Sequence, residues 1–175
     1  MNGLIVPPGQ GRKLTTKAQE VTFKVTGADG SFASCFEVVV PPGFDVGAHA
    51  HERSKEFFYV LDGQLDVFAF EPIERTEEHW QDWKSAEGDR VVRAGAGSCM
   101  FVPSGCPHAF MNPTDEPARM LFQSAPAPDH ERYFEEICEI FSAGGVVDSD
   151  AVQELRDRYG LSQLTPLRYG PPQSS

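Results

Sequence analysis

Between Gly43 and Gly63 the chain reads Gly-Phe-Asp-Val-Gly-Ala-His-Ala-His-Glu-Arg-Ser-Lys-Glu-Phe-Phe-Tyr-Val-Leu-Asp-Gly. His49 and His51 are two positions apart, so on an extended strand both side chains leave the same face. Glu56 follows five residues after His51 and opens the run Glu56 to Leu61. That run ends on Asp62-Gly63, a strong two-residue hairpin signal. If the histidine strand turns back into this run, Glu56 comes to lie beside the imidazole pair. Two imidazoles and a carboxylate on one face suit Zn, Fe, Mn, Co or Ni.

A second stretch has its own fixed spacing: Gly97-x5-Pro103-x-Gly105-x2-His108-x3-Asn112. With Gly43-x5-His49-x-His51-x4-Glu56-x6-Gly63, it resembles the two sequence motifs of the cupin superfamily at every defining position. The resemblance covers roughly residues 32–125. It implies an all-β fold, the cupin jelly roll (a double-stranded β-helix barrel), with a metal in its mouth held by His49, His51, Glu56 and His108. One divalent transition metal ion is expected: Fe, Ni, Mn, Co or Zn. In a metal-free reading the same residues hydrogen-bond a sugar or another small ligand. The chain resembles single-domain bacterial cupins of the quercetinase-like kind, which have such a barrel with a helical tail.

At 175 residues, one domain is expected. The 16 Gly and 14 Pro suit many short strands joined by turns. Twenty-six acidic residues against 15 basic ones leave a net charge of −11. That balance argues against a nucleic-acid partner, which needs a positive face, and against an anionic membrane surface. No run of eighteen apolar residues predicts a spanning helix, and the first residues lack a signal peptide's charged n-region. A cytoplasmic protein is expected. The cysteines Cys35, Cys99, Cys106 and Cys138 show no Cys-x2-Cys spacing, so free thiols are expected rather than a zinc ribbon. Cys35 and Cys99 fall in apolar runs and read as buried; Cys106 is close enough to His108 to approach the metal.

Taken in order, residues 1–20 read as an extended N-terminal arm, and the cupin resemblance implies that such an arm adds a strand to its own or a neighbouring subunit. Residues 21–125 read as the barrel, with an insert at 71–96, and residues 126–175 as a C-terminal helical extension. The insert carries both tryptophans, Trp80 and Trp83, at a helical-turn spacing. It is either a surface loop pinned by a local cluster or a lid or subunit contact over the mouth. In the extension, Asp129 suits an N-cap, and Phe134, Ile137, Ile140 and Phe141 form an apolar stripe. Ala143-Gly144-Gly145 stops this helix. Asp150 with Gln153 resembles a capping box, Val152, Leu155 and Tyr159 form a second stripe, and Gly160 fits the position after a helix end. A homodimer is expected from the arm and the exposed-looking hydrophobes.

His79 and His130 lack motif support and read as solvent-facing. Glu52 points away from His51. Phe58, Tyr59, Phe101, Phe110 and Met111 are candidate cavity residues, although alternation lets only half of them face inward. The reading is of a metal-dependent enzyme acting on a small aromatic or phenolic substrate, with Glu56 as the proton-accepting group. A quercetinase-like dioxygenase (an oxidoreductase) is the first form of that reading. The alternatives are an oxygen-independent isomerase or polyketide-type cyclase, in which the metal is a Lewis acid, and non-catalytic binding of a small molecule.

Overall fold

The computed structural model describes residues 3–16, 19–127, 129–142 and 149–168. In chain order the strands are β1 (Arg12–Thr15), β2 (Glu20–Val25), β3 (Ser34–Val40), β4 (His49–His51), β5 (Lys55–Asp62), β6 (Gln64–Ala69), β7 (Val92–Gly95), β8 (Cys99–Val102), β9 (His108–Met111) and β10 (Ala118–Ala125). Helices α1 (Asp129–Ser142) and α2 (Ser149–Arg158) follow, and β11 (Leu161–Gln163) closes the described chain. The strands form two antiparallel sheets. One has the order β1-β2-β3-β10-β5-β8, the other β11-β4-β9-β6-β7. This is the jelly-roll arrangement.

The larger sheet follows from period-two patterning. In β3, Phe36, Val38 and Val40 are buried while Cys35, Glu37 and Val39 are only half-buried. Register sets Phe122 of β10 opposite Phe36 on one side and Phe58 on the other. The rings stack, with centroids 5.6 Å and 4.8 Å apart. This phenylalanine row is the centre of the apolar interior, and burial of such rings is the main favourable term in folding. The hairpin between β5 and β6 turns at Gly63, whose φ is 77°. A Cβ there would also come within 2.9 Å of Ala118, so both the turn and the packing demand glycine.

Two segments outside the motif-bearing barrel complete the sheets. The N-terminal strand β1 pairs with β2 of its own chain, Arg12 opposite Phe23 and Thr15 opposite Glu20. After α2, β11 pairs with the histidine strand itself: Leu161 opposite His51 and Gln163 opposite His49. Gly160, with φ 62°, turns the chain from α2 into β11, as its position after the helix leads one to expect. The Ala143-Gly144-Gly145 stop lies outside the described residues. Val152 and Leu155 are buried, and Gln153 Nε2 donates to Asp157 Oδ1 at 2.8 Å.

The insert packs on the outer face of the smaller sheet. Trp80 is fully buried and Trp83 nearly so, against Phe68, Ala48 and Ala109. Trp80 Nε1 donates to Asp45 Oδ1 at 2.9 Å and Trp83 Nε1 to Thr76 Oγ1 at 3.0 Å. Neither tryptophan lines the interior cavity, so the insert is a pinned loop rather than a lid on that cavity. Cys99 is exposed and Cys35 half-buried, so the sequence reading of both as buried is corrected. Alternation sends Cys99 outward with Phe101, while Met100 and Val102 face the core. Tyr59 and Phe101 are likewise exposed and do not line the cavity; Phe58 and Phe110 do. All four cysteines are free thiols. Among the described residues no helix is long and apolar enough to cross a membrane.

Candidate metal centre

The histidine strand is held at both edges, β11 on one side and β9 on the other, with His49 directly opposite His108. Gly47 lets the chain enter this strand. Its φ is 71°, and a Cβ would meet Thr165 O at 2.4 Å. Asp45 Oδ1 accepts from the Gly47 N–H at 2.8 Å and also holds Trp80, so the insert buttresses this entry. Period-two geometry then sends His49 and His51 inward, both buried, and Glu52 outward, exposed.

Two of the imidazoles are oriented by the same local device. His49 Nδ1 lies 2.9 Å from Gly47 O, and His108 Nδ1 lies 3.0 Å from Cys106 O. A carbonyl can only accept, so Nδ1 carries the proton in each neutral ring, and Nε2 presents a lone pair. One ligand atom from each of His49, His51 and His108 lies within 4.8 Å of the others.

Glu56 is buried at the centre of this group. Its Oε2 is 2.8 Å from His108 Nε2, and its Oε1 is 3.3 Å from His51 Nε2 and 3.0 Å from His130 Nε2. Neither carboxylate oxygen, nor His108 Nε2, makes a directed hydrogen bond within the protein. The close approach of His108 and Glu56 thus brings two electron-rich atoms face to face. Burial raises the Glu56 pKa, but the imidazoles of His51 and His108 outweigh it, and the carboxyl lies well below its usual range. Burial, with the neighbouring imidazoles of His108 and His51, holds His49 well below its ordinary value. Burial likewise lowers His51 to about 3, although Glu56 pulls the other way. At neutral pH His49 and His51 are therefore neutral imidazoles and Glu56 is an ionised carboxylate.

Above the cluster lies a cavity. Its walls are apolar, with Phe44, Phe58, Phe110 and Phe122 prominent, and α1 and α2 cover it with Tyr133, Phe134 and Arg156 among others. A family model described as Cupin matches residues 10–143.

The chain belongs to the cupin family. Among curated proteins this cupin is similar to a polyketide synthase CurC of Streptomyces cyaneus, 30% identical over 89 residues. The match covers 50% of this chain and 46% of that protein, so the chain aligns with about half the length of this curated relative. Among solved structures it resembles the polyketide cyclase RemF of Streptomyces resistomycificus, with TM-score 0.53 and 19% identity over 73% of this chain and 83% of that one. It also resembles a predicted oxalate decarboxylase of Thermotoga maritima, with TM-score 0.54 and 20% identity over 70% and 99% of the two chains. At these identities the structural likenesses show the shared fold.

The residues fit the metal that cupins commonly bind. A carboxylate and an imidazole lone pair in close approach are stabilised by a cation between them. Ligands about 2.1 Å from one ion and at right angles lie about 3 Å apart, which matches the short approach seen here. The backbone carbonyls behind His49 and His108 are the outer contacts that metal-binding histidines ordinarily have.

All four residues marked by the motifs come together. The sequence reading missed the fifth, His130, and is corrected here: His130 is buried, not solvent-facing. It sits in the first turn of α1, with Nε2 on Glu56 and Nδ1 2.7 Å from Ser124 Oγ. Ser124 is the register partner of Glu56 on the neighbouring strand, which puts both on one face. The carboxylate beside Nε2 favours the tautomer with its proton there, in a close polar contact rather than a directed hydrogen bond, and Nδ1 then accepts from the Ser124 hydroxyl. One sequence signal could have found it: residues 130, 134, 137 and 141 share a helical face, the apolar stripe that covers the cavity.

Proposed function

We propose that this cupin is a metal-dependent enzyme that cyclises or isomerises a small, oxygen-rich aromatic or polyketide-like molecule without consuming dioxygen. The observation that carries this reading is the ionised Glu56 carboxylate, buried among imidazoles at the floor of an apolar, phenylalanine-walled cavity. The names of CurC and RemF support the substrate class.

His49, His51 and His108 would hold a divalent ion, with Glu56 beside or completing the set. Such an ion supplies a Lewis acid for a carbonyl oxygen, stabilising negative charge as an enolate forms. The chain's own residues do the rest. The walls exclude water and hold a flat molecule against the floor. Glu56 takes a proton from a carbon flanked by carbonyls, and the C–H electron pair passes to the carbonyl oxygen. The enolate carbon then bonds to a second carbonyl carbon of the same molecule, whose oxygen takes up the proton. His130 and Ser124 keep Glu56 Oε1 in place during the transfer. No oxidant enters, and every atom of the substrate is retained in the product.

The aromatic walls also support a second reading, the quercetinase-like dioxygenase, since a flat phenol would bind there equally well. Oxygen decides between them. Metal-loaded protein is incubated with a poly-β-ketone substrate mimic and with a panel of flavonols, in air and in an anaerobic chamber. Equal product formation in both atmospheres supports cyclisation or isomerisation. Product formed only in air, with oxygen uptake, overturns it in favour of the dioxygenase.

A further inference from the structure

Buried side-chain polar atoms in folded proteins nearly always have a partner, so the exceptions are informative. Among the described residues the exceptions are Gln19 Oε1, Glu56 Oε1, Glu56 Oε2, His108 Nε2 and Arg156 Nε. All five belong to one place. Glu56 and His108 form the cluster at the cavity floor, and Gln19 and Arg156 line the cavity from segments outside the motifs. The floor atoms are accounted for by a cation. Gln19 and Arg156 are not.

Arg156 is on α2 and is the one Lys or Arg among the described residues that line the cavity. Its neighbour in sequence, Arg158, pairs with Glu136 at 2.8 Å. Arg156 forms no ion pair with the described carboxylates, and its guanidinium acts on the Tyr133 hydroxyl on α1. A buried guanidinium N–H with no acceptor is costly. The cost is removed by a ligand oxygen. Gln19, ahead of β2, adds an amide oxygen that can only accept.

We infer that Arg156 and Gln19 recognise the substrate in addition to the histidine cluster: Arg156 Nε–H donates to an anionic oxygen, a carboxylate or phenolate, and Gln19 Oε1 accepts from a hydroxyl. This rests on the proposed function and narrows its substrate class to acidic, hydroxylated aromatic or polyketide-like molecules with oxygen at both ends. The apolar walls hold the carbon skeleton. Arg156 is thereby a specificity-determining residue. Arginine suits the task because its planar, permanently charged fork matches a carboxylate and keeps its charge when buried.

The test is equilibrium binding of two fluorescent probes, naphthol and a hydroxynaphthoate with hydroxyl and carboxylate at opposite ends of the ring system. Wild-type protein should bind the hydroxynaphthoate about tenfold or more tightly than naphthol, as expected for a buried charge-assisted hydrogen bond. Arg156→Met should bring the two affinities within about twofold of each other. If Arg156→Met lacks a wild-type thermal melt, Arg156→Gln is read in its place, with the same outcome expected. A wild-type preference below about twofold overturns the inference. So does a full preference retained in the variant, or no binding of either probe. The titration reads binding and not turnover. A protein with the preference but no cyclisation activity keeps this inference and loses the proposed function; an active enzyme without the preference does the reverse.

Discussion

The floor and the ceiling of the cavity are built by different rules. The floor comes from β4, β5 and β9, where ladder pairing sets each side chain relative to its neighbours: His49 opposite His108, Glu56 opposite Ser124. The ceiling comes from α1 and α2, which reach the barrel through side-chain contacts rather than ladder pairing and bring Arg156, Tyr133 and His130 with them. The floor gathers ligand atoms around one carboxylate, and Glu56 Oε1, Glu56 Oε2 and His108 Nε2 there lack a hydrogen-bond partner. The ceiling is apolar, with a few isolated polar atoms. A strand-built site is rigid enough to hold a metal, whereas a helix-built cover can vary and thus select what enters. The two should respond differently to mutation.

The largest effect should follow from removing floor imidazoles. The double variant His49→Ala, His108→Ala should lose its metal and all turnover, measured by plasma emission spectrometry on dialysed protein. Metal retained at about one ion per chain would show that the floor is not the site. Next is Glu56→Gln. Turnover should fall by about 10²–10⁴-fold, the usual contribution of a proton-transfer group. The metal should remain, since three imidazoles remain. Turnover kept with a glutamine would remove Glu56 from the proton transfer.

A third change lies outside both floor and ceiling. Trp80→Ala empties a fully buried site on the outer face of the smaller sheet and removes a bond to Asp45. It should cost about 3–5 kcal/mol by urea denaturation, while metal content holds at native temperature. If instead metal is lost with little change in stability, Asp45 and Gly47 transmit the insert's support to His49 more strongly than packing does.

Legibility in the sequence follows the same division. A strand alternates and a hairpin has fixed length, so His-x-His, the glutamate five residues on, and Pro-x-Gly-x2-His translate directly into positions on one face. The barrel and the convergence of His49, His51, Glu56 and His108 were legible for that reason. His130 and Arg156 were not, because helix docking is set by the shape of the barrel mouth and not by local spacing. Even there the stripe of α1 pointed to the face that would be buried. β11 was hidden too: Leu161-Ser162-Gln163 has no strong strand pattern and becomes a strand because β4 offers it an edge. Cys99 and Phe101 misled in the other direction. Apolar runs on an edge strand need only one buried face, and β8 is at the edge of its sheet.

Acid should weaken the floor with a definite sign. In the folded, metal-free chain the pKa of His51 lies near 3 against an ordinary 6.5. As pH falls the unfolded chain takes up that proton first, so its contribution to stability is full above about 6.5 and is lost as pH falls toward 3. Each such histidine adds about 1.4 kcal/mol per pH unit within that window. His49 shifts the same way, and Glu56, also lowered, adds to the loss below its ordinary 4.5. Chelator-treated protein melted from pH 7.5 downward should show a slope that His51→Gln reduces by about one proton. An unchanged slope would mean that His51 is not buried neutral.

The smallest effect expected is also the one that joins the two regions. His130 belongs to α1 by sequence yet reaches Glu56 Oε1 at 3.0 Å, with Ser124 behind it. If it positions the carboxylate, His130→Gln should lower kcat by roughly tenfold, the scale of a lost hydrogen bond, with KM and metal content unchanged. Ser124→Ala should move kcat in the same direction by less, since it only frees Nδ1 of the ring. A purely structural role would lower the melting temperature and leave kcat per folded molecule alone. A different result would redraw the site. His51, Glu56 and His130 also bring one ligand atom each within 4.8 Å of the others. If His130→Gln strips the metal as thoroughly as the His49 and His108 changes do, then the ceiling supplies a ligand. The division between a strand-built metal floor and a helix-built selective cover would then fail at this residue.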